Sequence, residues 1–339
     1  MSKALARAVL ICSLPTLFMP SVPARDSSWA AQARYVMGTL LEVQLRVDED
    51  SADKIFTPLF AIARRCDEVF STYKPDSPVP LFNRRRACQS PFIAPEEMIV
   101  LTSISQNLNA QTGGAFDITV GPLVRLWQEA ARKQRWPEEY EIRDARARVG
   151  ITQLTVDREA RTITPAADGV EVDFNGIAKG YCVDEMVRTL HDEGVYNALI
   201  NFGESSVFAL GVAPDGRPWS VAVRDPKRPD SVAFNLSLSG LAIGSSASYE
   251  KSNLIAGRKV NHIIDPRTGM PADSRVAVTV IAPSATLADA LSTALAVLPP
   301  AEGIKVLEKF PGAHAVIFHR LSNGRWQRLL SPGMERFID

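Results

Sequence analysis

Residues 173–181 read Asp-Phe-Asn-Gly-Ile-Ala-Lys-Gly-Tyr and place an acid, two glycines and a lysine between two stretches of different periodicity. Upstream, residues 169–174 (GVEVDF) alternate as a strand does, and downstream Tyr181, Met186, Val187 and Leu190 recur at helical spacing. The chain therefore has to pass from extended to helical backbone here, with the glycines where it bends. A helix start exposes unpaired amide groups, and with Lys179 beside them such a start favours phosphate or carboxylate. A strand-to-helix turn with no ligand would use the same residue types. The spacing is neither a Walker loop nor the dinucleotide-binding Gly-x-Gly-x-x-Gly.

The surrounding pattern predicts an α+β fold of antiparallel sheets flanked by helices. Over residues 150–280 short alternating runs dominate, at 154–156, 197–202, 207–212, 219–224 and 233–238, separated by turn residues and interrupted by one helix after Gly180. That is not the alternation of a parallel βαβ series. Leu41, Val43, Leu45 and Val47 alternate with polar residues as a half-buried strand. Ser51 is placed to cap a helix carrying Ile55, Leu59, Ile62, Cys66, Val69 and Phe70, and Pro95 opens a second that Gly113 closes. The polar run 128–148 reads as a surface insertion, and helices over 286–298 and 302–310 precede a strand at 313–318.

Lys+Arg and Asp+Glu both number 38, so net charge offers no footprint for nucleic acid or an anionic membrane, and any anion site has to be local. Lys3 and Arg7 precede the apolar run 8–19, and Val22-Pro23-Ala24 offers small residues for cleavage. Residues 1–24 thus read as a secretory signal peptide, with an uncleaved anchor as the alternative, leaving a single domain over 25–339. Cys66, Cys88 and Cys182 then remain, an odd number without metal-ligand spacing; Cys66 and Cys182 read as small buried hydrophobes, and a bridge from Cys66 to Cys88 stays open.

Three further segments carry groups suited to chemistry. Asp289 and Thr293 stand four residues apart in a helical run and so share a face, two hard oxygen ligands of the kind Mg²⁺ accepts; a solvated acid with a threonine bonded back to its helix is the plainer reading. His262 stands where a strand meets the turn Asp265-Pro266-Arg267-Thr268-Gly269. It could accept a proton from an attacking hydroxyl while Arg267 neutralises phosphate; a structural histidine and a turn-capping Asp265 account for the same residues. In 111–122 the pair Gly113-Gly114 allows close approach to the backbone, or caps a helix. The serine-rich 244–249 reads as hydroxyls for phosphate or ribose, or as a polar turn. No Gly-x-Ser-x-Gly elbow of a serine hydrolase is present.

Taken in order, Met37-Gly38-Thr39, Thr112-Gly113-Gly114-Ala115-Phe116-Asp117, 173–181, 262–269 and 288–293 resemble the ApbE family of FAD:protein FMN transferases over roughly residues 33–320. The resemblance implies a T-fold-related α+β architecture. It also implies a periplasmic, Mg²⁺-dependent enzyme that cleaves the pyrophosphate of FAD and attaches FMN to a Thr or Ser of a partner flavoprotein, a subunit of a membrane electron-transfer complex. By position it puts flavin and adenine contacts at Met37, Ala115, Phe116, Asp117, Asp173, Lys179 and Ile264. It places Mg²⁺ on Asp289, Thr293 and the carbonyl of Gly176, with Ser292 nearby. Catalytic work falls to His262 as proton acceptor, Lys179 as charge partner and Asp173 in reserve. Asp173-Phe174-Asn175 stands where many members read Asp-Leu-Gly, and the segments 77–83 and 201–204 also depart from the usual pattern. The same residues suit an FAD pyrophosphatase releasing FMN and AMP, or a protein that only binds and delivers FAD.

Overall fold

A computed structural model describes residues 28–247 and 252–339; the signal-peptide segment, Cys12, Ser248 and Tyr249 lie outside the described residues. Eight strands form one sheet: β1 (Ser28–Val36), β2 (Thr39–Val47), β3 (Ala198–Phe202), β4 (Ser206–Leu210), β5 (Leu241–Ala247), β6 (Val276–Ala282), β7 (His314–Arg320) and β8 (Trp326–Leu330). Each pairs antiparallel with the one before it, so the spatial order is the chain order. Between β2 and β3 the chain inserts six helices, α1 (Ala52–Phe70), α2 (Pro78–Asn83), α3 (Glu96–Thr112), α4 (Gly121–Lys133), α5 (Glu139–Arg146) and α6 (Ala178–Asp192). Between β6 and β7 lie α7 (Ala285–Val297) and α8 (Pro300–Leu307).

Alternation along each strand sends residues to opposite sides of the sheet. Phe208, Leu210, Ala242, Val278 and Val280 pack with the helices, whereas Val207, Ala209, Ile243 and Ile281 pack under a hairpin of Trp219–Asp225 and Arg228–Leu238. Burial on both faces explains why β6 reads Val-Ala-Val-Thr-Val-Ile-Ala, with none of the polar alternation seen in β2. On α7, Leu291 and Leu295 are fully enclosed, each contributing about 1.5–3 kcal/mol of burial. The helix lies unusually close to the sheet: a Cβ on Gly244 of β5 would fall 2.2 Å from the carbonyl of Ala288, so only glycine admits the helix at this height.

Several expectations change. Residues 169–174 do not join a sheet: Gly169 lies in a turn at φ +79°, and the only strand-like pairing in the segment is a single bridge from Glu171 to Val120. Their backbone is held instead by Asn83, whose side chain accepts from Val172 N at 2.8 Å and donates to Val172 O at 2.9 Å, and by Ile118 O, which accepts from Asp173 N at 2.7 Å. An alternating pattern marks two different environments, and here loop and side-chain partners supply what a neighbouring strand would. The serine-rich segment is not a turn over its described part, since residues 244–247 lie within central strand β5. The polar run 128–148 is largely helical: its Ala130 and Ala145, with Leu123 and Trp127 just before it, bury a third apolar cluster against Ile255, Val260 and Ile264 of the hairpin Ser252–Ile255 and Arg258–Asn261 and the segment after it. Ser51 precedes α1, yet its hydroxyl bonds Asp48 and no helix amide. Cys66 and Cys182 are buried, Cys88 is exposed, and all three are free, so no Cys66–Cys88 bridge forms. Among the described residues no helix is long and apolar enough to cross a membrane.

Candidate functional site

Met37, Gly176, Lys179, Asp289 and Thr293 gather at the end of the sheet where β2 and β4 begin and β3 and β5 end. There Met37 and Gly38 turn β1 into β2, and the turn at Gly203 packs so closely on Thr39 that a Cβ would lie 2.5 Å from its hydroxyl. Met37 takes φ +50° in this turn, an uncommon conformation for a residue with a side chain. Ser205, next along, accepts Lys179 Nζ and so ties the first turn of α6 to the strand ends.

Helices α6 and α7 bring the distant acids and amides together. Gly180 N donates to Asp289 Oδ2 at 3.0 Å across 109 residues of sequence. Gly180 has to be glycine, because a Cβ would sit 2.2 Å from Ala285 O at the start of α7. Gly176 lies against Thr293, where a Cβ would meet Thr293 Oγ1 at 3.1 Å and the Phe116 ring at 3.4 Å. Ser292, one residue earlier, is fully buried; it shares a 2.8 Å hydrogen bond with Ser246 Oγ and donates to Asp289 O at 2.9 Å, pinning α7 to β5.

Burial pushes the Asp289 carboxyl above its ordinary range, while the Lys179 ammonium, the Gly180 amide and the Ser206 hydroxyl favour the ionised form and Asp184 opposes it. Ser206 Oγ is buried beside this carboxylate without a well-formed hydrogen bond, and half-buried Thr293 stands one helical turn after Asp289 on the same face. One carboxylate and one hydroxyl on α7 meet the backbone at Gly176, a donor set drawn from two segments. That donor set fits a small hard cation, which takes few protein oxygens and keeps other positions for water or phosphate. Among the described residues no group of three or more His, Cys, Asp or Glu gathers as metal ligands, so a cation here would rest on this one acid and neutral oxygens.

The junction itself is folded by its own side chains. Asp173 is partly buried, which raises its carboxyl, and it accepts from Asn175 N at 2.8 Å. Phe174 is a core residue, its ring 5.1 Å from that of Phe70, which also meets Tyr181 at 6.2 Å. The departure at Phe174-Asn175 therefore fills core space and closes a turn; neither side chain displaces Lys179 or Gly176.

Other expected contacts are buried and engaged. Ala115 and Phe116 are enclosed in the main core and Ile264 in the third cluster. Asp117 accepts from Thr119 N (2.8 Å), Thr119 Oγ1 (2.6 Å), Ile151 N (2.9 Å) and Asn109 Nδ2 (3.1 Å). Burial raises its carboxyl and these donors pull it back. Asp265 is buried and holds Arg267 by its backbone N and Nε at 2.9 Å and by Nη2 at 2.8 Å, the turn-capping role. Arg267 Cγ in turn lies 3.6 Å from where a Cβ on Gly114 would be, joining this loop to the Gly113-Gly114 turn. His262 is exposed, directly after the hairpin strand ending at Asn261.

Sequence reasoning missed four groups: Asn83, Ser205, Gly244 and Asp184, whose carboxylate on α6 accepts from Ala285 N, Thr286 N and Thr286 Oγ1. Only Asp184 left a signal, standing four residues after Gly180 on the same helix face.

Residues 37–318 match the model of the ApbE family. The chain is 33% identical over 312 residues to an FAD:protein FMN transferase of Klebsiella pneumoniae, covering 90% of this chain and 88% of the relative. It is 31% identical over 332 residues to one of Escherichia coli K12, covering 96% and 87%. In structure it is similar to the flavin transferase ApbE of Vibrio cholerae, with a TM-score of 0.80 and 27% identity over 92% of this chain and 99% of that one. The ApbE protein of Thermotoga maritima gives a TM-score of 0.81 at 29% identity over 92% and 100%.

Proposed function

The chain belongs to the ApbE family, and on that premise we propose that it is an FAD:protein FMN transferase that moves FMN from FAD to a Thr or Ser hydroxyl of an acceptor flavoprotein and releases AMP. The observation that carries this reading is the meeting of Gly176, Lys179, Asp289 and Thr293 at one end of the sheet, a cradle for a pyrophosphate and a divalent cation.

Asp289, Thr293 and the Gly176 carbonyl are the residues that would hold Mg²⁺, and the ion supplies charge neutralisation to the pyrophosphate when bound. Lys179, steadied by Ser205, adds a fixed positive charge at the amide-rich start of α6, where anions are favoured. The acceptor hydroxyl attacks the FMN-side phosphorus; a P–O bond forms, the P–O bond to AMP breaks, and the hydroxyl proton passes to a base. His262, exposed at the end of its hairpin strand, is that base, with Asp173 as the reserve. Positioning and electrostatic stabilisation do most of the work in such displacements. Met37, Ala115, Phe116, Asp117 and Ile264 frame the flavin and adenine side. Buried Ala115, Phe116, Asp117 and Ile264 act there through the shape of their loops.

Residues 1–24 export the chain, and residues 25–339 act as one domain in the periplasm on a flavin-carrying subunit of a membrane electron-transfer complex. The test incubates the purified mature chain with FAD, Mg²⁺ and candidate acceptor domains and weighs each acceptor. One added FMN with release of AMP is expected; free FMN with unlabelled acceptors would mean hydrolysis instead, and intact FAD would mean a binding protein.

A further inference from the structure

Neither α6 nor α7 completes its own start. The N-cap residue of α6 is Ile177, which offers no side-chain acceptor, and the third amide of the helix, Gly180 N, goes to Asp289 of α7 at 3.0 Å. At α7 the N-cap Ser284 takes only Leu287 N, at 3.2 Å. Its first two amides, Ala285 N and Thr286 N, go to Asp184 of α6 at 2.7 and 2.8 Å, and Thr286 Oγ1 joins them at 2.5 Å. Each helix thus presents an open amide and, four residues later on the same face, the carboxylate that caps the other helix: Gly180 and Asp184 on one, Ala285 and Asp289 on the other. Where the two starts touch, Gly180 leaves no room even for a methyl group against Ala285 O.

We propose that Asp184 is a positioning residue for the transfer reaction: by holding the first turn of α7 against α6 it sets where Asp289 and Thr293 stand relative to Gly176 and Lys179. The inference rests on the functional reading of that cradle. Asp184 touches neither substrate nor cation; it acts through the ring of bonds running from its carboxylate to the start of α7, along that helix to Asp289, and back through Gly180. A carboxylate is required because three donors converge on its two oxygens, and an amide in its place would turn an NH₂ group toward an N–H.

The test uses the full mature protein carrying Asp184→Asn or the milder Thr286→Val, which removes one donor and leaves the carboxylate. Leu236→Ala serves as a control that loosens the buried cluster on the other side of the sheet, away from α6 and α7. Hydrogen exchange followed by mass spectrometry reads the amide of Gly180 in metal-free protein, and Mn²⁺ alone is titrated by electron paramagnetic resonance. Asp184→Asn should speed Gly180 exchange about fivefold and weaken Mn²⁺ binding about tenfold, with smaller changes of the same sign for Thr286→Val. Leu236→Ala should lower Tm and change neither reading. Wild-type exchange and Mn²⁺ affinity in Asp184→Asn, or equal changes in Leu236→Ala, would overturn the proposal. If the wild-type protein binds no Mn²⁺, the cation reading of the cradle fails, and unchanged or accelerated Gly180 exchange still decides whether Asp184 sets the junction.

Discussion

Asp289 and Asp117 are both buried acids with raised carboxyls, and the difference between their surroundings separates a reactive region from a structural one. At Asp117 the donors Thr119, Ile151 and Asn109 occupy both oxygens, and the donors lie in the loop itself or in segments packed on it. At Asp289 a single backbone amide from another helix takes Oδ2, and Ser206 Oγ beside it is buried without a well-formed hydrogen bond. The first arrangement is complete without a ligand. The second leaves polar groups in a buried place short of partners, which costs free energy that a bound cation and phosphate can recover.

The sharpest way to break this contrast is Asp289→Ala. FMN transfer, read as added mass on an acceptor, should fall by roughly 10³-fold, in the range seen when a preorganised electrostatic group is removed, and the far-ultraviolet dichroism should keep its folded form. Transfer at the wild-type rate with unchanged Mg²⁺ dependence would remove Asp289 from the site. Asp117→Asn should do the reverse. Leaving donors unmatched in a buried loop should lower unfolding free energy in urea by about 1–3 kcal/mol, with the rate per folded molecule nearly kept. If KM for FAD rises instead at unchanged stability, Asp117 touches the ligand and the division between the two regions moves. The smallest effect concerns Tyr181, whose hydroxyl burial pushes up to about 12. An unfolded tyrosine titrates near 10. The folded state therefore keeps its proton longer, and stability present below about pH 10 is lost as pH rises through about 12. Tyr181→Phe should flatten that part of the stability curve; an unchanged slope would show that the ring is not enclosed as described.

Legibility in the sequence followed the range of each interaction. The 3.6-residue spacing placed Asp289 and Thr293 on one face and marked the helix after Gly180, because side chains on one helix are neighbours whatever surrounds them. Residues 169–174 misled: alternation reports two faces of an extended chain, and it is silent on whether a strand or the side chain of Asn83 satisfies the backbone. Composition hid the packing of the run 128–148, since its own buried residues Ala130 and Ala145 are too sparse to stand out among its charges until Leu123, Trp127 and a hairpin from elsewhere meet them. Motif order supplied the family and the candidate residues together, and the structure brings Gly176, Lys179, Asp289 and Thr293 to one place.

By itself the sequence determined the α+β class, the apolar face of most elements and the residue types able to hold a phosphate and a cation, since these depend on local periodicity and side-chain chemistry. Only the tertiary structure decided that Gly180 and Gly244 are there to admit α7, that Asp184 caps that helix from α6, and that Phe174 fills core space. The reason is geometric. The height of a helix above a sheet and the partner of a buried amide are set by elements meeting from distant parts of the chain, and no local pattern records a distance of that kind.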